Sequence, residues 1–180
     1  PAYLRDATAA DLVVATATEN NTKSLQLFEM QDGFYPDNAA YEIALTEDVI
    51  FLDIAATVGR DMLVVFYAGS AVQLDPRTGA TRHLVEFSSI YNAPVDQKIP
   101  KLDMVRDLNG DNLDDFIIPG FKGYEVYIQN HDGTFGNGIS LNAPPIMDIS
   151  FRDNPWYQAR KIYHADVTND GRADLVFWVV

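Results

Sequence analysis

Two short segments of the chain place oxygen-bearing side chains at the same intervals. Residues 107–115 read DLNGDNLDD and residues 166–174 read DVTNDGRAD. In both segments, positions 1, 5 and 9 are Asp, and position 3 is Asn or Thr. Oxygen ligands at positions 1, 3 and 5 of a tight loop converge on one point, and position 7 adds a backbone carbonyl. The spacing therefore predicts two cation-binding loops.

The predicted ligands are all hard oxygen atoms, which favour Ca²⁺ over zinc or copper. Mg²⁺ fits less well because it prefers to keep several waters in an octahedral shell. An EF-hand is excluded, since its position 12 requires Glu and is Ile118 in one segment and Phe177 in the other. We expect one calcium ion on Asp107, Asn109, Asp111, the Leu113 carbonyl and Asp115, and a second on Asp166, Thr168, Asp170, the Arg172 carbonyl and Asp174.

The alternative is that Asp, Asn and Gly only form turns in these segments. Their recurrence at the same place in two successive repeats argues against turns alone. A related segment at residues 53–61 keeps Asp at both ends but has Ala55 and Thr57 inside. We expect it to be a degenerate loop without metal, held by Arg60. The loop before Asp11 is expected to be shortened and to lack a ligand set.

The loops belong to a larger repeat, in which an Asp is followed directly by an apolar run. The copies begin at Asp11, Asp61, Asp115 and Asp174, so the interval between copies changes little along the chain. This interval is slightly longer than the roughly 40–50 residues of common four-stranded propeller blades. The recurrence favours a propeller over a β-sandwich. We predict an all-β fold, a β-propeller fragment of about three to three and a half blades in one partial domain, residues 1–180. The predicted units are residues 1–47, 48–98, 99–150 and an incomplete 151–180.

A propeller needs about four to eight blades to close. We therefore expect the remaining blades to come from a longer parent chain or from a partner chain.

The composition limits the partners further. The net charge is −13, which argues against nucleic acid because phosphate binding needs a basic surface. A membrane-spanning helix needs a long, uninterrupted apolar run. The chain has no such run, so membrane insertion is not expected. The absence of cysteine excludes disulfides and thiolate metal sites.

The acidic loops, each followed by an apolar strand, resemble the FG-GAP/VCBS repeats of integrin α-subunits and of many secreted bacterial proteins. The resemblance is strong over residues 100–180 and weak over residues 1–99. It implies a seven-bladed propeller in the parent protein, with Ca²⁺ in the hairpin between the first two strands of a blade. It also implies an extracellular, cell-surface or periplasmic location. The integrin Phe-Gly…Gly-Ala-Pro stretch is missing, so the VCBS branch is closer.

Signals for catalysis are few. The chain has no G-x-S-x-G, no phosphate-binding glycine loop and no H-E-x-x-H, and we assign no catalytic residue. The favoured function is a non-catalytic calcium-binding module for protein or carbohydrate recognition, as in cell adhesion. One alternative is the propeller domain of a polysaccharide lyase or hydrolase. Another is a structural shell segment of a large secreted toxin or adhesin.

An aromatic-rich segment at residues 151–160 follows the third predicted blade. Connections between blades emerge on the face opposite the calcium hairpins. Aromatic and Arg side chains are common binding hot spots, so this face is the candidate recognition surface. Its predicted contacts are Trp156, Tyr157 and Arg160, together with Tyr91 and Lys122. The alternative is that Trp156 and Tyr157 fill the space between blades.

Overall fold

The computed structural model describes residues 1–5, 9–18, 22–89, 99, 103–120, 122–142, 162–170 and 174–177. Within these residues the chain forms thirteen β-strands and no helix. The strands are β1 (Leu12–Ala17), β2 (Lys23–Phe28), β3 (Tyr41–Leu45), β4 (Phe51–Ala56), β5 (Asp61–Phe66), β6 (Ser70–Leu74), β7 (Thr81–Glu86), β8 (Val105–Arg106), β9 (Asp115–Gly120), β10 (Gly123–Tyr127), β11 (Ile139–Leu141), β12 (Ile162–Ala165) and β13 (Asp174–Phe177).

The strands form four antiparallel sheets in which neighbours in the chain are neighbours in space. The orders are β1-β2-β3, β4-β5-β6-β7, β8-β9-β10-β11 and β12-β13. A bridge between Ala2 and Asp11, the residue before β1, adds a pairing at the edge of the first sheet opposite β2. Each full sheet is therefore a meander of the kind that builds a propeller blade.

The apolar run of β5 explains how one sheet packs against two others. Successive side chains of a strand point to opposite faces. Leu63 and Val65 pack in a cluster with Leu25 and Leu27 of the first sheet. On the opposite face of β5, Met62, Val64 and Phe66 pack in a cluster with residues of the third sheet. A continuous apolar strand is what a sheet buried on both faces requires.

The same arrangement continues along the chain. Phe116 and Ile118 of the third sheet pack toward the second sheet. Ile117 and Val126 lie in a separate cluster that includes Leu175 of the fourth sheet. The sheets thus stack face to face in chain order, which confirms the all-β propeller fragment that the repeat predicts. No helix among the described residues could cross a membrane.

A row of phenylalanine rings joins the second and third sheets. Phe51 stacks on Phe66 at a centroid distance of 4.2 Å, and Phe66 meets Phe116 edge-on at 5.1 Å. Phe116 in turn stacks on Phe135 at 4.1 Å. Such aromatic pairs add to the free energy of burial itself. The row therefore strengthens the apolar contact between the second and third sheets.

Candidate metal centre

The first acidic loop connects β8 to β9. Gly110 and Asn112 have φ values of 83° and 66°, in the left-handed region. Gly and Asn adopt this conformation at lower cost than other residues. Two left-handed residues so close together turn the backbone back on itself, so the N–H groups of the loop point inward at its first side chain.

Asp107, at position 1, receives most of these N–H groups. Its Oδ1 accepts hydrogen bonds from the N–H of Gly110 at 2.7 Å and of Asn109 at 3.2 Å, and its Oδ2 accepts from Asn112 at 2.8 Å. Burial alone would raise the pKa of Asp107, but these N–H groups outweigh it and lower the pKa. The carboxylate is therefore held in its charged form at the centre of the loop.

Positions 3 and 5 continue the pattern. The Asp111 N–H donates to Asn109 Oδ1 at 2.9 Å, and the Leu113 N–H donates to Asp111 Oδ1 at 2.8 Å. The Asn109 amide also donates to Asp111 Oδ2 at 3.0 Å. No three His, Cys, Asp or Glu side chains of the described residues lie close enough together to hold one metal ion. The donor types suit Ca²⁺, whereas the described geometry is that of a loop held by its own hydrogen bonds.

Asp115, at position 9, is the least usual residue of the loop. It is fully buried, and its two carboxylate oxygens accept the N–H groups of Leu108 at 2.9 Å and Gln129 at 2.8 Å. Burial raises its pKa, and repulsion from Asp111 and Asp107 raises it further. No Lys or Arg of the described residues forms an ion pair with it. A buried carboxylate in this setting lacks the positive partner that normally offsets its desolvation.

The second acidic loop connects β12 to β13. The Val167 N–H donates to Asp174 Oδ2 at 2.9 Å, which repeats the bond from Leu108 to Asp115. Thr168 donates to the same oxygen from its N–H at 3.0 Å and from its hydroxyl at 3.2 Å. The N–H groups of Thr168 and Val167 lower the pKa of Asp174. In both loops, then, the carboxylate at position 9 accepts the N–H of position 2.

The start of the second loop is also tied to its middle. The Asp170 N–H donates to Asp166 Oδ1 at 3.1 Å, and Asn169 has a φ of 58°. Arg172, whose carbonyl is a predicted ligand, lies outside the described residues. The two loops thus share the bond from position 2 to the position-9 carboxylate and a left-handed residue at position 4, Gly110 or Asn169. They differ at positions 3 and 5, whose N–H groups donate to different acceptors in the two loops.

A pair of backbone contacts shows how the repeats align. The Asp61 N–H donates to the Tyr3 carbonyl at 2.8 Å, and Asp61 Oδ2 accepts the Tyr3 N–H at 2.7 Å. One blade later, the Asp114 N–H donates to the Ala56 carbonyl at 3.0 Å, and Asp114 Oδ2 accepts the Ala56 N–H at 2.7 Å. Each pair of hydrogen bonds joins one blade to the preceding blade. Because the two pairs are equivalent, Asp61 occupies the same position in its repeat as Asp114.

This alignment corrects the expectation that residues 53–61 keep Asp at both ends of an acidic loop. β4 extends to Ala56, which pairs with Asp61, so only residues 57–60 connect the two strands. Met62, one residue later, takes the place of Asp115 and is buried. The second blade therefore has no position-9 carboxylate. Arg60 contributes its carbonyl to the short turn, where it accepts the Thr57 hydroxyl.

The first repeat also differs from expectation, because its loop is not shortened. The bridge between Ala2 and Asp11 corresponds to the pair Arg106–Asp115. Asp11 therefore occupies position 9, and residues 3–11 have the same length as residues 107–115. The sequence contains this equal spacing. The acidic pattern does not reveal it, because position 1 is Tyr3 and not the Asp that begins the other loops.

The candidate recognition residues are described only in part. Lys122 is exposed in the turn between β9 and β10, at the end of the blade opposite the β8–β9 loop. Tyr91, Trp156, Tyr157 and Arg160 lie outside the described residues. Of these five side chains only that of Lys122 is therefore described, and the recognition role of all five stays a prediction.

Comparisons with known proteins gave a match to one part of the chain, near its carboxyl end. Neither curated proteins nor solved structures gave a match. The family model of the FG-GAP-like repeat matches residues 107–177. The matched stretch begins at position 1 of the first acidic loop and includes the whole of the second. Over these residues, the chain is similar to the FG-GAP-like repeat, a repeat of propeller blades.

Proposed function

We propose that this chain is part of a calcium-binding β-propeller of the FG-GAP/VCBS type that recognises a protein or carbohydrate ligand outside the cytoplasm. The observation that carries the calcium part is the buried Asp115 carboxylate, which has no ion-pair partner among the described residues and is repelled by Asp111 and Asp107. A bound cation would relieve both its desolvation and its repulsion from Asp107 and Asp111.

Oxygen chemistry favours calcium as that cation. Carboxylate, amide and backbone carbonyl oxygens are the usual ligands of Ca²⁺ in flexible loops. In the first loop Asp107, Asn109, Asp111, Leu113 and Asp115 would supply them. Asn109 would ligate through Oδ1, so the bond from its amide to Asp111 would give way. Asp166, Thr168, Asp170, Arg172 and Asp174 would supply the equivalent set in the second loop.

Calcium in these loops would have a structural role. With five protein oxygens at each ion, little of the coordination shell is left for a substrate. The ion would instead fix the hairpin that begins the central strand of the blade, next to the contact that Asp114 makes with the preceding blade. A polysaccharide lyase or hydrolase remains the alternative, and turnover of a glycan by the parent protein would favour it.

Calorimetric titration of calcium tests the proposal directly. We expect two ions per chain, and one ion per chain in each of the variants Asp111→Ala and Asp170→Ala. Asp132→Ala is the matched control, because this exposed Asp caps an ordinary turn by accepting the N–H of Thr134. It should leave the stoichiometry at two. An absence of binding heat in the unaltered chain at millimolar calcium would refute the calcium proposal.

Recognition is proposed for the face opposite the calcium loops, through Trp156, Tyr157 and Arg160, with Tyr91 and Lys122. A glycan array on the parent protein would first identify a ligand. Trp156→Ala should then weaken binding by about 2 kcal/mol or more if Trp156 is an anchor. The control is Phe34→Ala, since Phe34 is 77% exposed in the β2–β3 connection at the other end of its blade. Unfolding of the Trp156 variant would assign Trp156 to the core instead.

A further inference from the structure

The first repeat places an arginine against its position-9 carboxylate. Asp11 is fully buried, and its Oδ1 accepts Arg5 Nε at 3.0 Å, with Arg5 Nη2 at 2.9 Å from the same oxygen. Arg5 Nη2 also donates to the Met30 carbonyl at 3.3 Å. The guanidinium is thus held between the end of its own loop and the segment that follows β2, and its side chain is about 30% exposed.

The alignment of the repeats shows which loop position Arg5 occupies. Arg5 is position 3 of the first loop, where Asn109 and Thr168 stand in the third and fourth repeats. The same buried carboxylate therefore meets a guanidinium in repeat one. In repeat three its two oxygens meet only backbone N–H groups, and Asp111 and Asp107 repel it. Neither of those acids has a counterpart in the first loop, which has Tyr3 and Ala7 at positions 1 and 5.

A second arginine extends the arrangement to the next blade. Arg77, in the turn between β6 and β7, donates from Nε to Glu29 Oε1 at 2.9 Å, and its Nη2 lies 3.8 Å from Asp11 Oδ2. Two arginines and two acids thus alternate across the contact between the first and second sheets. Both arginines thus lie within ion-pair distance of Asp11, although its Oδ2 accepts no hydrogen bond from the described residues.

We infer that Arg5 replaces the cation in the first repeat, so that this repeat is neutralised by the chain while the third and fourth repeats depend on a divalent ion. The inference rests on the proposed calcium binding. It divides the module into a calcium-independent amino-terminal blade and a calcium-dependent carboxyl-terminal part.

Thermal melting of single-site variants in EDTA and in 10 mM calcium tests the inference. Asp11→Asn removes the buried ion pair and should lower the melting temperature by roughly 5–10 °C, equally in both conditions. Asp115→Asn is the matched variant in the third repeat. It should change the melting temperature little in EDTA and should reduce the rise that calcium produces in the unaltered chain.

Arg5 is tested by a double-variant cycle. Arg5→Met leaves Asp11 buried with only the more distant Arg77 as a positive neighbour. It should therefore lower the melting temperature in both conditions. Arg5→Met combined with Asp11→Asn should lower it by clearly less than the sum of the two single changes. Arg5→Lys, which keeps the charge, covers the case in which Arg5→Met does not fold, and it should keep the first repeat insensitive to EDTA.

Three outcomes would overturn the inference. A calcium-dependent effect of Asp11→Asn would show that the first repeat also binds the ion. Additive effects of Arg5→Met and Asp11→Asn would show that the two residues do not act as a pair. A melting temperature of the unaltered chain that is the same in EDTA and calcium would remove the calcium proposal itself and, with it, the idea of a replacement. The first two outcomes leave calcium binding in repeats three and four intact.

Discussion

Phe116→Ala is expected to lower the free energy of unfolding by about 3–5 kcal/mol. Phe116 is fully buried, and its ring lies between Phe66 of the second sheet, at 5.1 Å, and Phe135 of the β10–β11 connection, at 4.1 Å. The change would remove two aromatic contacts and leave a cavity between two blades. Sheets built from short strands have little freedom to collapse into such a cavity without losing their hydrogen-bond register.

Denaturant unfolding followed by far-ultraviolet circular dichroism would measure this loss. Phe34→Ala is the control, since its ring is 77% exposed and exposed positions usually change stability by within about 0.5 kcal/mol. A loss below about 1 kcal/mol for Phe116→Ala would contradict the packing of the second sheet on the third. A large loss for Phe34→Ala would mean that its ring is covered in solution.

Calcium withdrawal is the second change with a large expected effect. A ligand that binds only the native state adds RT ln(1 + [L]/Kd), about 2.7 kcal/mol when its concentration is 100 times Kd. Extracellular calcium modules have a Kd of about 10⁻⁴–10⁻³ M. Two sites in 10 mM calcium should therefore add roughly 3–5 kcal/mol in total, which EDTA would remove. For a chain of this size, the melting temperature should fall by roughly 6–20 °C.

The control for this experiment is the double variant Asp111→Ala/Asp170→Ala. It should melt at the same temperature in EDTA and in calcium, because each loop has lost a central ligand. Magnesium in place of calcium should restore little of the stability, since Mg²⁺ gives up its waters reluctantly. Coincident melting curves of the unaltered chain with and without calcium would show that the acidic loops serve only as turns.

The sequence alone determined the architecture of the blades. The apolar runs that follow Asp61 and Asp115 became β5 and β9, the central strands of their sheets. They are apolar on both faces because each sheet packs between two others. The sequence shows this requirement as a continuous apolar run. The acidic spacing likewise determined that Asp side chains accept nearby backbone N–H groups in both loops, since such short-range bonds depend on local sequence order.

Only the tertiary structure decided which residues of different repeats correspond. Side chains alternate with a period of two, so a shift of one residue exchanges the faces of a strand. The sequence pattern aligns Asp61 with Asp115, whereas the contact with Tyr3 aligns it with Asp114. A run that is apolar throughout does not mark which face is which, and packing against the neighbouring blade fixes the register.

The charge balance of the loops was likewise decided by tertiary contacts. Asp11 and Asp115 both precede apolar strands in the sequence and look alike. In the structure, Asp11 is paired with Arg5 and lies near Arg77, which belongs to the next repeat. Asp115 has no ion-pair partner among the described residues and is repelled by Asp111 and Asp107. The state of a buried carboxylate depends on the charges that the fold brings within a few ångströms, and linear spacing does not encode those distances.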